Sequence, residues 1–350
     1  MLIALDIGGA NLKGVSETGF CLSQSFRLWK HPDQLQHQLS SIVQQLLDSS
    51  LEACRSDQIK IRVTMTGELA DCFENKQQGV ARIVQQTSAA FPDSQVTFYL
   101  VDGRLVSATQ AISEWNLAAA SNWHATASFV ADHFQITNGL LLDIGSTTTD
   151  AIPLRNQLVG TGSSCDLDRI RNHELFYLGC RRSPVCSIAS SVELNGAKLP
   201  IAAELFSTLA DALVVAGKIP TDSNDFNTAD GRPLTIENSR QRLARCFCAD
   251  ADEFSIEELE SIAQQITAAH SQKLLDFLKP QFEIFQDADA TVIVCGEGSQ
   301  MALDLIGKIS PTTRVISFDQ EFGDSASQCA AAYSLSKLAS KLDTVSPSSF

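Results

Sequence analysis

The sequence predicts an α/β protein of two domains that face each other across a phosphate-binding cleft. Three observations carry this expectation. At 350 residues the chain is too long for one ordinary core and suits two domains of roughly 100 to 200 residues each. The opening stretch MLIALDIGGANLKG is nearly restated by GLLLDIGSTTTDAIPL, so an apolar run, an Asp, a Gly-containing turn and a cluster of small polar residues occur twice. The same strand-turn-strand-turn-strand order follows both Asp residues, which makes the repeat structural as well as lexical.

Residues 2–7, 12–16 and 20–28 alternate with GGAN and ETG turns, the pattern of an antiparallel meander. From Pro32 to Cys54 the residues Leu35, Leu39, Ile42, Val43, Leu46, Leu47 and Leu51 recur at spacings of three and four, which predicts one amphipathic helix. IKIRVTMTG then reads as a strand ending in a Thr-Gly turn, followed by the polar loop ELADCFENKQQG, a helix and the strand VTFYLVD at 96–102. The Ala-rich residues 107–132 predict one or two close-packed helices that close a first domain, residues 1–135. The second copy gives strands at 139–144, 147–154 and 157–161 and opens a second domain, residues 136–322. Residues 162–200 are less regular, AAELFSTLADALVVAG predicts a helix, and residues 219–238 read as a long loop over the surface or the cleft. Helices at 239–248 and 255–280 precede the buried strand ATVIVCG and its turn into the helix EGSQMALDLIG. Residues 323–350 supply a C-terminal helix, at 325–341, and an unanchored VSPSSF tail.

Charge narrows the partners. With 26 Lys+Arg against 41 Asp+Glu, the formal net charge of -15 repels nucleic-acid phosphates and anionic membrane surfaces. The first residues run straight into a strand without a basic leader, and no stretch has the ~18 apolar residues that span a bilayer. The expectation is a soluble, cytoplasmic protein with neither a nucleic-acid nor a membrane partner. Ten cysteines form no CxxC pair, several sit in apolar surroundings (Cys21, Cys72, Cys295, Cys329), and buried reduced thiols are expected. The close pair Cys246 and Cys248 lacks companion zinc ligands.

An apolar strand that ends in Asp and is followed by Gly puts a carboxylate at the strand end and leaves backbone free to approach a ligand. In the first copy Asp6 is followed by Gly8, Gly9, Asn11 and Lys13, and in the second Asp143 is followed by Gly145, Ser146, Thr147, Thr148, Thr149 and Asp150. Amides and hydroxyls of such turns donate to phosphate oxygens, while Asp6 and Asp143 are the candidate carboxylates for a water-coordinated magnesium ion. A third turn, VIVCGEGSQMA, delivers Gly296, Gly298 and Ser299 to a helix N-terminus as a nucleoside-type contact point.

The order DIGGANLK, DIGSTTTD and CGEGSQ resembles the two phosphate motifs and the adenosine motif of the actin, sugar kinase and Hsp70 superfamily. That resemblance implies two RNase H-like domains around the cleft. More closely, VTMTGELADCF, the Asn122-Trp123 pair, DIGSTTTDAIPL, HELFYLGCRRSPV, AAELF and TADGRP resemble the hydantoinase/oxoprolinase-related family. Within it they are similar to the branch linked to tetrahydromethanopterin one-carbon transfer, which includes the furan-methanamine synthases of methanofuran biosynthesis. One departure is Arg182-Ser183-Pro184, where the family pattern has a Thr; the hydroxyl is kept.

The resemblance implies an enzyme that joins a tyramine- or tyrosine-type phenol to an aminomethyl-furanmethanol diphosphate and releases pyrophosphate. Lys13 and the amides and hydroxyls at Gly8, Gly9, Asn11, Gly145, Ser146, Thr147 and Thr148 then face the diphosphate, with magnesium at Asp6 and Asp143. A phenol with a pKa of about 10 benefits from a base, and Asp150, Glu68 and Asp71 are the candidates, Asp150 first. Arg182, with Arg181 beside it, is a candidate for gripping a carboxylate or phosphate, and Glu174 and Tyr177 for lining the acceptor pocket, although an i, i+3 pair also suits a helix face. His31, His37 and His270 read as helix-surface residues, His173 lies inside the matched motif, and Trp29, Trp115 and Trp123 read as core or interface. Two rivals remain open: an ATP-dependent small-molecule kinase or ATPase of the same fold, and a non-enzymatic ligand-gated partner protein. The use of ATP, the acceptor's identity and the oligomeric state stay open at this point.

Overall fold

The computed structural model describes residues 1–49, 59–284 and 290–344. Its first half opens with β1 (Leu2–Ile7), β2 (Asn11–Ser16) and β3 (Cys21–Ser25), then α1 (Leu35–Asp48) and β4 (Lys60–Met65). It continues through α2 (Lys76–Ala90), β5 (Gln95–Tyr99), β6 (Leu105–Val106), α3 (Ala108–Ser113), α4 (Trp115–Ala118) and α5 (Asn122–His133). The second half repeats the meander as β7 (Asn138–Ile144), β8 (Thr149–Arg155) and β9 (Leu158–Val159). A stretch of short elements follows: α6 (Asp166–Arg171), β10 (Leu175–Phe176), α7 (Val185–Ile188) and the hairpin β11 (Ser191–Leu194) and β12 (Ala197–Pro200). Then come α8 (Leu209–Val215), α9 (Ile236–Arg245), α10 (Ile256–Ile284), β13 (Thr291–Cys295) and α11 (Ser299–Ile309). The chain closes with β14 (Arg314–Ser317), α12 (Phe318–Phe322), α13 (Asp324–Gln328) and α14 (Ala330–Thr344).

The two halves share one sheet plan. The first sheet runs β3-β2-β1-β4-β5-β6, and the second runs β10-β8-β7-β13-β14 with β9 beside β8. In each, the central strand is antiparallel to its hairpin partner and parallel to the strand that returns from a helical crossover: β1 with β2 and β4, β7 with β8 and β13. This is the RNase H-like arrangement the resemblance implies, and it brings the C-terminal ends of β1 and β4, or of β7 and β13, to one edge beside the hairpin turn. Ligands of parallel sheets bind at such carboxyl ends.

Burial explains the elements. Both central strands are apolar on both faces because helices cover them: Ile3, Leu5 and Ile7 pack with Leu35, Leu39, Ile42 and Leu46 of α1, while Leu140, Leu142 and Ile144 pack with Ile262, Ile266 and Leu274 of α10. The C-terminal α14 lies against β1, β2, β4 and α5. Helix α2 begins at Asn75, whose side chain accepts the Gln78 amide, an N-cap that marks the end of the polar loop.

Some expectations need correction. The helix read over AAELFSTLADALVVAG is confined to Leu209–Val215. Asp211 accepts from the Thr208 amide and from the Ser207 hydroxyl and ion-pairs with the buried Arg242 at 2.6 Å, which fixes the first turn at Thr208. The Ala-rich stretch 107–132 holds three helices, because Glu114 and Ala119 leave helical geometry between them. The strand β14 had no distinct apolar signature: RVIS is short, and its first residue is exposed. Leu51, Cys54 and the VSPSSF tail lie outside the described residues.

Candidate active site

The two Asp-Ile-Gly turns are built alike. Gly8 donates its amide to the Asn11 carbonyl at 3.0 Å, and Gly145 donates to the Thr148 carbonyl at 2.9 Å, so each hairpin closes around a pair of small residues. Asp6 stands opposite Lys13 across β1 and β2, and Asp143 stands opposite Asp150 across β7 and β8. Directly opposed residues on neighbouring strands project from one face, so Lys13 and Asp150 occupy equivalent positions with opposite charge.

A second correspondence went unnoticed in the sequence. Gly67 donates to the Ile7 carbonyl at 3.0 Å, and Gly298 donates to the Ile144 carbonyl at 2.8 Å. The MTGE turn after β4 is therefore the counterpart of the CGEGS turn after β13, and Glu68 sits where the other half has Ser299. The signal was present in the paired strings VTMTG and VIVCGEG, but their different polar residues hid it.

The turns converge electrostatically. Asp6 is buried at 6% exposure, and one of its carboxylate oxygens has no hydrogen-bond partner among the described residues. Burial raises its pKa to about 6, opposed by the charge of Lys13. Asp143, partly exposed, is also raised to about 6, first by desolvation and then by Asp150, with Lys13 opposing and Asp6 adding to the rise. Charges from both halves thus act on the same carboxylate. Asp150 is raised by burial as well, but Arg169 opposes the shift. Arg169 pairs with Asp150 and, at 3.1 Å, with Asp166, and its guanidinium lies 4.4 Å from the centre of the Trp123 ring.

The HELFYLGCRRSPV segment supports the second turn from beneath. Cys180 donates its amide to the Gly145 carbonyl at 2.9 Å, and the amides of Arg181 and Arg182 donate to the Ser146 carbonyl at 3.1 and 2.9 Å. A Cβ on Gly179 would stand 2.5 Å from the Gly145 carbonyl oxygen and the Thr147 nitrogen, so only glycine permits this contact. His270 is buried rather than on the helix surface: its Nε2–H donates to the Gly179 carbonyl at 3.0 Å, and desolvation lowers its pKa to about 4. Being amphipathic at 3.6-residue spacing does not distinguish a polar core residue from a surface one, which is why the sequence misplaced it.

Other candidates fall at different distances from the turns. The Arg182 guanidinium lies 5.1 Å from the centre of the Trp29 ring, a contact between the two halves, and Arg27 donates to the Phe226 carbonyl at 2.9 Å in a second. Arg181 pairs with Asp225 and, at 3.0 Å, with Glu297. Glu174 is buried and accepts from the Thr161 hydroxyl at 2.5 Å, while Tyr177 is 68% exposed; they flank the strand β10 and do not form a helix face. Asp71, His31 and His37 are exposed. Ser299 donates to Asp319 at 3.2 Å. Gly296 has a φ of 90°, and a Cβ there would collide with the Asp143 carboxylate and the Ile144 carbonyl, so this glycine serves the packing of β13 against β7. Glu68 is 1% exposed, one carboxyl oxygen lacks a partner, and burial raises its pKa to about 7.

No group of three or more His, Cys, Asp or Glu side chains able to hold a metal ion occurs among the described residues. Magnesium does not need one: it keeps several waters and is held by one or two carboxylates plus substrate phosphates. The unpartnered oxygen of Asp6, with Asp143 facing the same cleft, fits that requirement. Nine described cysteines are free, and no described helix is long and apolar enough to cross a membrane.

Two RNase H-like halves with paired Asp-Ile-Gly turns define the actin, sugar kinase and Hsp70 type of fold. The chain belongs to the hydantoinase/oxoprolinase family, whose model matches residues 61–337. It is 29% identical over 97% of its length, and 98% of the relative's, to the (4-{4-[2-(gamma-L-glutamylamino)ethyl]phenoxymethyl}furan-2-yl)methanamine synthase of Methanocaldococcus jannaschii. A protein of the same name from Methanococcus vannielii is 26% identical over 61% of the chain and 95% of the relative. Among solved structures, the archaeal actin homologue Ta0583 in complex with ADP superposes with a TM-score of 0.45 at 13% identity, covering 97% of this chain and 99% of that one.

Proposed function

We propose that the chain is a transferase of methanofuran, or methanofuran-analogue, biosynthesis that supports tetrahydromethanopterin-linked one-carbon transfer. It joins a tyramine- or tyrosine-type phenol to an aminomethyl-furanmethanol diphosphate and releases pyrophosphate. The observation that carries this reading is the convergence of Asp6, Lys13 and Asp143 at facing turns, in a chain similar over 97% of its length to a synthase whose name contains the phenoxymethyl-furan linkage.

In this reading Lys13 and the turn amides and hydroxyls at Gly8, Gly9, Asn11, Gly145, Ser146, Thr147 and Thr148 hold the diphosphate. Preorganised donors of this kind stabilise charge that grows on a leaving group. Asp6 and Asp143 are the residues that hold magnesium, which when bound neutralises phosphate charge. The furan ring delocalises positive charge at its methylene carbon, so the carbon–oxygen bond to diphosphate loosens before the phenol oxygen closes in. Asp150, engaged by Arg169, orients this edge of the site, and Arg182 of the same half meets substrate where it faces Trp29 of the other half.

A kinase or ATPase reading would use the third turn for a nucleoside. Two features favour the diphosphate instead: Gly296 packs directly on Asp143, and Glu297 of that turn is engaged by Arg181. The test is pyrophosphate release by the purified protein with magnesium, the furan diphosphate and tyramine or γ-glutamyltyramine, run beside an ATP-hydrolysis control. Acceptor-dependent pyrophosphate without ATP turnover is the expected result. ATP turnover with no pyrophosphate from the furan substrate overturns the reading.

A further inference from the structure

A cavity of about 360 Å³ lies between the halves. Lys76, Trp115 and Ala120 line it from the first half, and Ser164, Cys165 and Asp166 from the second. It adjoins the cleft through a run of charged contacts, since Asp166 pairs with Arg169, Arg169 pairs with Asp150, and Asp150 acts on Asp143. The larger cavity, about 550 Å³, opens at the far end of the second sheet, beside Leu140 and Thr291 at the starts of their strands, away from both turns.

Glu68 is the neighbour of the smaller cavity that ordinary packing does not explain. The cavity residues Lys76 and Asp166 are the charges that act on it, and the Ala120 amide faces it. One of its carboxyl oxygens is buried without a partner. A buried unpaired oxygen costs roughly 1–3 kcal/mol, and such groups persist where a function uses them. Ala120 itself holds a φ of 48°, a left-handed backbone uncommon for alanine, at the point where wall and carboxyl meet.

We propose that this cavity is the acceptor subsite, in which the phenol ring packs on Trp115, Lys76 favours the phenolate, and Glu68 turns towards the cavity to receive the phenolic proton. This rests on the synthase reading above and deepens it. The step balances: the O–H proton passes to the Glu68 carboxylate, an aryl oxygen lone pair forms the bond to the furan methylene carbon, and the electron pair of the breaking carbon–oxygen bond leaves with pyrophosphate. Burial supports the role, because a carboxyl raised to about 7 is a better match for a phenol of pKa about 10 than an ordinary carboxylate. Among the described residues Lys76 makes no ion pair that competes for its charge, and a cation within ~4–6 Å lowers an acid's pKa by about 1–3 units. Glu68 thereby takes the role for which Asp150 was the first candidate; Asp150 is held by Arg169.

The test measures kcat and both KM values for pyrophosphate release, together with calorimetric titration of tyramine and γ-glutamyltyramine into the protein alone. Trp115→Ala and Lys76→Met are expected to raise the acceptor KM about tenfold or more while the diphosphate KM changes less than about twofold. Glu68→Gln is expected to lower kcat about 100-fold with little change in either KM and to remove the acid limb of the pH–rate profile near 7, and Glu68→Asp to recover part of the rate. Unchanged acceptor KM in Trp115→Ala and Lys76→Met, or full kcat in Glu68→Gln, overturns the assignment even if the wild type is an active synthase. If the wild type releases no pyrophosphate, the synthase reading fails on its own, and titration still decides the cavity: phenol binding that Trp115→Ala abolishes upholds it, and no binding overturns it.

Discussion

Asp6 holds a carboxylate where burial opposes its charge. In the folded chain it titrates at about 6, against about 3.9 when exposed. The native state therefore keeps its proton between those values while the unfolded state has released it, and stability falls as pH rises through that window. Replacing the acid by its neutral isostere removes the penalty. Asp6→Asn is expected to be more stable than the wild type by roughly 1–2 kcal/mol at pH 7.5, with the difference gone near pH 4, as read from urea unfolding at the two pH values. The same variant is expected to lose pyrophosphate release. A gain in stability paired with a loss of activity is the mark of a residue kept for its charge, whereas a purely structural Asp6 would lose stability on substitution. Asp6, Lys13 and Asp143 were legible in the sequence because Asp-Ile-Gly at the end of an apolar run, repeated in both halves, states its own geometry. The environment of Glu68 was not, since its burial depends on Gly79 of α2 and Ala120 before α5, which are distant in sequence.

At the scale of elements, glycines divide into those that packing requires and those that it leaves free. A Cβ on Gly179 would meet three backbone atoms of the second Asp-Ile-Gly turn, whereas a Cβ on Gly9 would meet nothing within 4 Å. Gly179→Ala is expected to displace the turn at Gly145 to Thr147, costing roughly 1–3 kcal/mol as overpacking and raising the diphosphate KM about tenfold, while Gly9→Ala leaves unfolding within about 0.5 kcal/mol of the wild type. Thermal unfolding and diphosphate KM of the pair separate the two classes. Equal effects at both positions would mean that the HELFYLGCRRSPV segment does not brace the turn. The meander, the first amphipathic helix and the strand before each Asp were readable because a single periodicity governs each. The helix expected at 202–217 failed for the opposite reason: apolar spacing continued past a point where the long-range pairing of Asp211 with Arg242 set the boundary.

At the scale of the whole molecule, the polar contacts between the two halves among the described residues include Arg169 over Trp123, Arg182 over Trp29 and Arg27 to the Phe226 carbonyl. A ligand that engages Asp6 and Lys13 on one side and Asp143 on the other adds contacts to both halves at once. It binds the folded chain and not the unfolded one, so at about 100 times its Kd it stabilises by about 2.7 kcal/mol. For a chain of 350 residues this corresponds to an upward shift in Tm of several degrees. Pyrophosphate with magnesium is expected to produce that shift, and Asp143→Ala to abolish it. ATP with magnesium is expected to produce a smaller one, because the third turn is already engaged: Gly296 against Asp143, and Glu297 by Arg181. Breaking the latter pair with Glu297→Ala then distinguishes the possibilities. If the turn is kept from nucleosides by this pairing, the variant gains an ATP-dependent shift while its pyrophosphate response is unchanged. If wild type and variant both respond to ATP as strongly as to pyrophosphate, the third turn accepts a nucleoside and the kinase or ATPase reading takes precedence. The repeated sheet supplies one cleft in either case, and on the proposed reading the polar residues placed at equivalent points of the two halves, Lys13 against Asp150 and Glu68 against Ser299, are what this pair of measurements tests as the selectors of the phosphate compound.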